Sequence, residues 1–347
     1  MIRWGIIGCG NVTEVKSGPA FQQAAGSVLV AVMRRDGKLA ADYARRHGVP
    51  RWYDDDAALI ADPEVDAVYV ATPVGAHRDL ALSVCRAGKP CYVEKPMARN
   101  ATEARAMVEA FRAAGVPLFV AYYRRGLPRF RKARELVRSG RLGVLTGVRY
   151  RCEQPRLERA GAEPLPWRLQ AEQSGGGLFL DLGCHTLDII DFIAGPMDRV
   201  SGAAANVASP YDVEDHVVLH GRFESGALGV ATWNFAAAVP ADCIEFLGTA
   251  GRLSLSTFGA EPVSLESATG REEFDLPNPP HIQQPLIQSI VDELLGTGQC
   301  PSTGETALRT AVVMDTVLDS YYGGRADDFW TRPATWPGRP GDRSHLA

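Results

Sequence analysis

Hydrophobic residues change their spacing about a third of the way along the chain. As far as residue 123, short apolar runs alternate with stretches in which apolar residues recur every three or four positions. Ile2–Ile7, Val28–Met33, Asp66–Thr72, Cys91–Glu94 and Leu118–Tyr122 read as strands. Val12–Ala25, Gly37–His47, His77–Ala87 and Ala101–Ala114 read as the helices between them, with Pro19 breaking or kinking the first. Strands alternating with helices of this length predict parallel βαβ units, and so a doubly wound α/β domain over residues 1–123.

Beyond residue 123 the pattern differs. Two helical stretches, Pro128–Ser139 and Gly177–Ala194, precede a series of alternating segments: Val200–Val207, His216–Phe223, Ala227–Phe235, Cys243–Gly248, Gly251–Ser256 and Val263–Ser267. Gly, Pro or Asn separates them, as antiparallel neighbours require. The expectation is an α+β domain over 124–325 with a large open, mostly antiparallel sheet. It closes with helices Gln284–Leu295 and Gly304–Tyr321 and is followed by an irregular tail, 326–347. The 347 residues suffice for two domains with sizeable cores.

Composition narrows the function classes. The net charge is −4 and Lys and Arg form no long run, so neither a nucleic acid nor an acidic membrane is indicated as a partner. The seven cysteines are odd in number and scattered without a Cys-x-x-Cys, which fits reduced thiols better than a disulfide framework or a zinc site. The chain enters its first strand with no basic-then-apolar leader, and no apolar run approaches the ~18 residues needed to span a bilayer. The expectation is a cytoplasmic protein.

The first loop carries the first candidate chemistry. Gly8-Cys9-Gly10-Asn11-Val12-Thr13 follows a strand and opens a helix. Glycines at the first and third places permit a tight turn and close approach to a pyrophosphate, and the helix start supplies N–H groups and partial positive charge. Thr13 replaces the usual final Gly or Ala. At the end of the second strand, Arg34 and Arg35 stand where an acidic residue would accept from an NAD ribose; two arginines suit the 2′-phosphate of NADP. Asp36 starts the next helix, or serves NAD if the strand ends later. NADP(H) is therefore the expected cofactor, with NAD(H) as the alternative. Thr72 and Pro73, at another strand end, would lie along the cofactor. His77 is either a helix-start residue or a ligand contact.

Lys95 ends the strand before Pro96. Taken alone, Glu94-Lys95-Pro96 reads as a loop lysine before a helix-starting proline, but in an open α/β sheet ligands bind beyond the carboxyl ends of strands. A later stretch strengthens the functional reading. Gly175-Gly176-Gly177 would let a helix begin with its backbone against a ligand, and Asp181, His185 and Asp188 fall at i, i+4 and i+7 on one helix face. A histidine beside a carboxylate exchanges protons near neutral pH. A charged outer face and a metal site are the competing readings, and nothing completes a metal-ligand set.

Together the Gly8–Thr13 loop, Ala71-Thr72-Pro73, Glu94-Lys95-Pro96, Trp167-Arg168 and the Gly-Gly-Gly…Asp181-x-Gly183-x-His185-x-x-Asp188 stretch resemble the glucose–fructose oxidoreductase/inositol dehydrogenase/rhizopine-catabolism (Gfo/Idh/MocA) family. The resemblance spans nearly the whole chain apart from the tail. It implies an amino-terminal Rossmann domain, a carboxyl-terminal domain whose open sheet forms a homodimer or homotetramer interface, and a cis Lys95–Pro96 bond. It also implies a catalytic set of Lys95, Asp181 and His185. His185 would exchange a proton with the substrate oxygen, Lys95 would hydrogen-bond that oxygen, and Asp181 would bind a neighbouring hydroxyl and tune His185. Gly8, Gly10, Asn11, Val12, Arg34, Arg35, Thr72, Pro73, His77, Glu94, Lys95, Trp167 and Arg168 would surround the cofactor. Tyr123 and Arg124 would meet substrate beside the catalytic set. For Tyr123, as for Arg125, a packing role stands beside the functional one, and His281 could reach the site or simply enter a helix. The expected activity is hydride transfer between NADP(H) and a sugar, polyol or related hydroxy or carbonyl compound. The alternatives are an NAD-dependent glycosidase that retains its cofactor, and a non-catalytic regulator that senses nucleotide or sugar.

Overall fold

The computed structural model describes residues 1–157 and 164–341. The chain forms two compact units. The first is built from Met1–Ala98, Thr102–Leu127 and Asn278–Leu308, and the second from Arg99–Ala101, Pro128–Pro277 and the chain from Arg309 onward.

In the first unit, β1 (Ile2–Ile7), β2 (Ser27–Met33), β3 (Arg51–Tyr53), β4 (Ala67–Val70), β5 (Cys91–Val93) and β6 (Leu118–Val120) form one parallel sheet in the order β3-β2-β1-β4-β5-β6. All residues of β4 and β5 are buried, as expected for strands covered on both faces. The strand order reverses between β1 and β4, and a crevice at such a switch point is where doubly wound sheets hold ligands. Trp4 of β1, Phe21, Tyr69 of β4 and Tyr92 of β5 build an aromatic column, with ring centroids 4.8 Å, 5.3 Å and 4.7 Å apart in turn. Each such pair adds about 0.5–1.5 kcal/mol beyond area burial.

The expected contiguous domains do not match these units. Helix Gln284–Leu294, expected in the second domain, belongs to the first unit. Its residues Leu286, Ile287, Ile290 and Val291 are buried, and Gln288 Oε1 accepts from Ala25 N at 2.7 Å. Strand β3 and helix Asp56–Ala61 were not anticipated either. β3 is a three-residue edge strand whose middle residue, Trp52, is exposed, so it carries no apolar run.

The second unit holds an eight-stranded sheet: β7 (Leu145–Glu153), β8 (Met197–Ala205), β9 (His216–Phe223), β10 (Leu228–Asn234), β11 (Ala241–Gly248), β12 (Gly251–Leu255), β13 (Val263–Ser267) and β14 (Gly270–Phe274). Their order is β14-β13-β12-β11-β7-β10-β9-β8. Every neighbouring pair is antiparallel except β7 with β10. β7 escaped the sequence reading because arginines 149 and 151 separate its inward residues Val148, Tyr150 and Cys152. Tyr150, Trp233 and Phe246 lie buried on one face, while Arg149, Val218 and Val230 are exposed on the other. A helix over residues 178–194 joins the buried side through Phe179, whose ring meets Trp233 edge-on at 4.8 Å. The segment after 325 contains two short 3₁₀ helices, Phe329–Thr331 and Pro333–Thr335, and Phe329 and Trp336 pack on Tyr322. Residues 342–347 of the expected tail lie outside the described residues.

Candidate active site

The carboxyl ends of β1, β2, β4 and β5 share one edge of the first sheet, because the strands are parallel. Gly8 therefore meets Ala71 and Thr72, and its amide donates to Met33 O at 2.9 Å. Gly8 has φ +90°, and a Cβ there would come within 2.8 Å of Thr72 Cγ2 and 3.0 Å of the Ala71 carbonyl carbon. The fold itself requires that glycine. Gly10 differs: it has no positive φ, and a Cβ would meet only Gly8 O, at 3.8 Å. Among the described residues, no other atom beyond its chain neighbours comes within 4 Å of that position. Thr72 Oγ1, in the same loop cluster, is buried without a hydrogen-bond partner. An open backbone cradle at a helix start beside an unmatched hydroxyl suits a dinucleotide pyrophosphate. Asn11 is exposed and Val12 half-buried at that helix start.

The helix after the loop, residues 11–23, widens into a π-helical segment at Thr13–Ser17 before continuing as Gly18–Gln23. Pro19 thus widens the helix rather than ending it. Pro19 has no N–H for Val15 O, and His281 Nδ1 binds that carbonyl instead, at 2.7 Å. Tyr43 donates to Thr13 O at 2.8 Å, and Thr13 Oγ1 donates to Gly10 O at 2.8 Å, closing the loop. Arg46 pairs with both oxygens of Glu14, at 2.7 Å and 2.8 Å, and holds its carboxyl at a pKa of about 2. Burial raises the Cys9 thiol to about 11, so Cys9 is not a thiolate nucleophile.

Arg34 and Arg35 are exposed immediately beyond β2. Asp36 caps helix Gly37–His47, its Oδ1 accepting from Lys38 N at 3.0 Å and Leu39 N at 3.2 Å. Pro73 is exposed beyond β4. His77 overturns its reading as a ligand contact. It is fully buried, with Nε2 2.9 Å from Thr72 O and Nδ1 3.1 Å from Pro96 O. Burial pushes its pKa below the ordinary 6.5, and a neutral ring donates only one of those two bonds. His77 spans the two loops.

Glu94 is buried. Its Oε1 accepts from Tyr69 Oη at 2.5 Å and Gln283 Nε2 at 2.7 Å, and its Oε2 accepts from the Lys95 amide at 3.1 Å. Lys95 is half-buried, and the Lys95–Pro96 bond is cis, as the family resemblance implied. Tyr123, Arg124 and Arg125 follow β6 and are buried. Arg124 lies over the Tyr123 ring at 5.0 Å, and Arg125 donates to Pro301 O at 3.0 Å, a packing role.

The second unit carries Trp167, Arg168, Asp181 and His185. The three glycines before the helix are filled by protein. A Cβ on Gly175, φ +84°, would strike Arg99 O at 2.5 Å; on Gly176, Leu180 Cδ2 at 2.7 Å; on Gly177, Glu214 O at 2.5 Å. They serve close packing, not a ligand cradle. Gly177 N donates to both oxygens of the buried Glu214, at 2.9 Å and 3.0 Å, and Tyr322 donates to the same carboxylate.

Asp181 lies within a π-helical segment, Phe179–Gly183, and His185 and Asp188 lie in the α-helix Cys184–Ala194 that continues it. Asp181 is half-buried, whereas His185 and Asp188 are buried. Arg168 Nε donates to Asp181 Oδ2 at 2.7 Å, and Arg168 also stacks on Trp167 at 4.5 Å. The His185 ring meets Phe258 edge-on, with centroids 6.1 Å apart. Phe258 N is held by Asp242 Oδ2 at 2.6 Å, and Arg129 grips the surrounding loop through Glu261 O at 2.8 Å. Phe258, Arg129 and Gln283 carry no sequence motif and went unnoticed. Among the described residues, no group of three or more His, Cys, Asp or Glu is placed to hold a metal ion. No helix among them is long and apolar enough to cross a membrane.

Comparison with known proteins agrees with this geometry. Residues 2–122 match the family model described as an oxidoreductase family with an NAD-binding Rossmann fold, and residues 130–254 match the GFO/IDH/MocA C-terminal domain. Oxidoreductase P35 of Formosa agariphila is 38% identical over 90% of this chain and 97% of its own. The 1,5-anhydro-D-fructose reductase of Ensifer adhaerens is 29% identical over 95% of this chain and 99% of its own. The solved structure of levoglucosan dehydrogenase with NADH and levoglucosan has the same fold, with a TM-score of 0.81 over 92% of this chain and 96% of that one, at 23% identity.

Proposed function

The chain belongs to the Gfo/Idh/MocA oxidoreductase family, and on that premise we propose that it transfers a hydride between NADP(H) and a small sugar, polyol or related hydroxy or carbonyl compound. The observation that carries the reading is the glycine loop at the switch point, where among the described residues a Cβ on Gly10 would meet only Gly8 O within 4 Å. The bound nicotinamide supplies the hydride chemistry. His185 exchanges a proton with the substrate oxygen, Lys95 hydrogen-bonds that oxygen and favours negative charge on it, and Asp181, aimed by Arg168, binds a neighbouring hydroxyl. Trp167 and Arg168 line the cofactor side. The 1,5-anhydro-D-fructose reductase relative and the levoglucosan complex support a small carbohydrate as substrate, and both names describe net redox turnover rather than a glycosidase cycle. The open sheet of the second unit is the proposed homo-oligomer face.

The preference for NADP(H) rests on Arg34 and Arg35 following β2 directly, while Asp36 is engaged in capping. The NADH in the levoglucosan dehydrogenase complex favours NAD(H) as a second reading. Nucleotide binding by Arg34→Ala separates the two. NADPH affinity should fall by about tenfold or more with NADH little changed, whereas equal loss of both would remove Arg34 from cofactor choice. In a screen of carbonyl sugars for NADPH oxidation, His185→Ala should lower turnover about 100-fold or more while still binding nucleotide. Unchanged turnover would take His185 out of the mechanism.

A further inference from the structure

Gln283 stands just before helix Gln284–Leu294, distant in sequence from every motif, and its side chain is buried. Its backbone N–H donates to Lys16 O at 3.2 Å, and His281, two residues earlier, takes Val15 O. Both carbonyls belong to the π-helical segment behind the glycine loop. The side chain continues the connection. Nε2 donates to Glu94 Oε1 at 2.7 Å, and Oε1 accepts from Tyr92 Oη at 2.8 Å. The amide thus turns its NH₂ group to the Glu94 carboxyl and its oxygen to the Tyr92 hydroxyl. Tyr69 completes the first oxygen of Glu94, and the second oxygen holds the Lys95 amide. Glu94 sits in a buried setting where an unmet polar group is costly, so each of these bonds constrains the next.

We infer that Gln283 is a positioning residue: docked on the Lys16 carbonyl of the glycine-loop helix, it fixes Glu94 and through it the strand end that carries Lys95. The inference rests on the reading of Lys95 as the group that meets substrate. It links the cofactor-facing helix to the lysine loop by four consecutive hydrogen-bonding residues, Lys16, Gln283, Glu94 and Lys95.

The test uses the full chain labelled with ¹⁵N-lysine, whose five lysines, Lys16, Lys38, Lys89, Lys95 and Lys132, give a sparse amide spectrum. Amide hydrogen exchange is followed in the native protein, in Gln283→Leu and in Gln283→Glu. In Gln283→Leu, exchange at Lys95 should speed up about tenfold or more while Lys89 and Lys132 keep their native rates, and turnover should fall with nucleotide affinity retained. Gln283→Glu keeps the shape and places a second carboxyl against Glu94. Its Lys95 protection and turnover should therefore recover only on the acid side, where the pair shares a proton. A merely structural residue would leave Lys95 protection at its native level across that pH range, and this variant decides the matter if Gln283→Leu does not fold. Native exchange at Lys95 in both variants would overturn the inference. Faster exchange at Lys95 with turnover intact would instead overturn the reading of Lys95 on which it rests.

Discussion

Single residues separate what the fold needs from what a ligand needs. Gly8 and Gly10 are two places apart in the same loop, yet only Gly8 is demanded by its backbone angle and neighbours. Gly8→Ala should therefore destabilise the protein by roughly 1–3 kcal/mol, read as a lower urea midpoint. Gly10→Ala should leave the midpoint within about 0.5 kcal/mol while weakening nucleotide binding about tenfold or more. Equal effects on folding would remove the argument that Gly10 is kept open for a pyrophosphate. The same comparison revises the other glycine run: Gly175, Gly176 and Gly177 looked like a ligand cradle, and each is closed by Arg99, Leu180 or Glu214. A glycine's residue type shows that something comes close; only its neighbours show whether that is protein or ligand. His77 was ambiguous for a similar reason, since a strand-end histidine gives no sign of which carbonyls lie beside its ring.

At the scale of elements, both candidate helices contain a π-helical segment, at Thr13–Ser17 and at Phe179–Gly183. Pro19 made the first foreseeable as a disturbance, but the partners that take up its Val15 and Lys16 carbonyls come from residues 281–283 and were not foreseeable. The first helix is also clamped by Glu14 to Arg46 and His47 on the neighbouring helix. With the Arg46 guanidinium first among the causes, the Glu14 carboxyl falls from its ordinary 4.5 to about 2. A depressed carboxyl adds stability above pH 4.5 and loses it as pH falls toward 2. Glu14→Gln should flatten the acid side of the stability profile across that window, as measured by urea unfolding at stepped pH. In the second unit, Arg325 is buried and donates to Asp315 at 2.7 Å and to the carbonyls of Gly175 and Arg99 at 2.8 Å each. Arg325→Ala should cost about 3–5 kcal/mol, because it strands a carboxylate and two carbonyls, and calorimetry would show it as a lower Tm.

Over the whole molecule, the parallel sheet was legible because each β-run is apolar and each following helix is amphipathic, and the open antiparallel sheet because its strands alternate between Gly and Pro breaks. Short or arginine-rich strands, β3 and β7, left no such trace. The division of the chain was not legible either, since nothing in Gln284–Leu294 says that its apolar face belongs with residues 24–26 rather than with the sheet that precedes it. Motif order located the candidate chemistry, while Gln283, Phe258 and Arg129 act through contacts that no local pattern encodes. The central claim, a nicotinamide oxidoreductase that favours NADP(H), is tested most directly by titrating the native protein with NADPH and NADH side by side and following nucleotide fluorescence. Saturable binding of both with NADPH about tenfold tighter is the predicted result. No binding of either nucleotide, by folded protein whose absorbance shows none retained from purification, would contradict it.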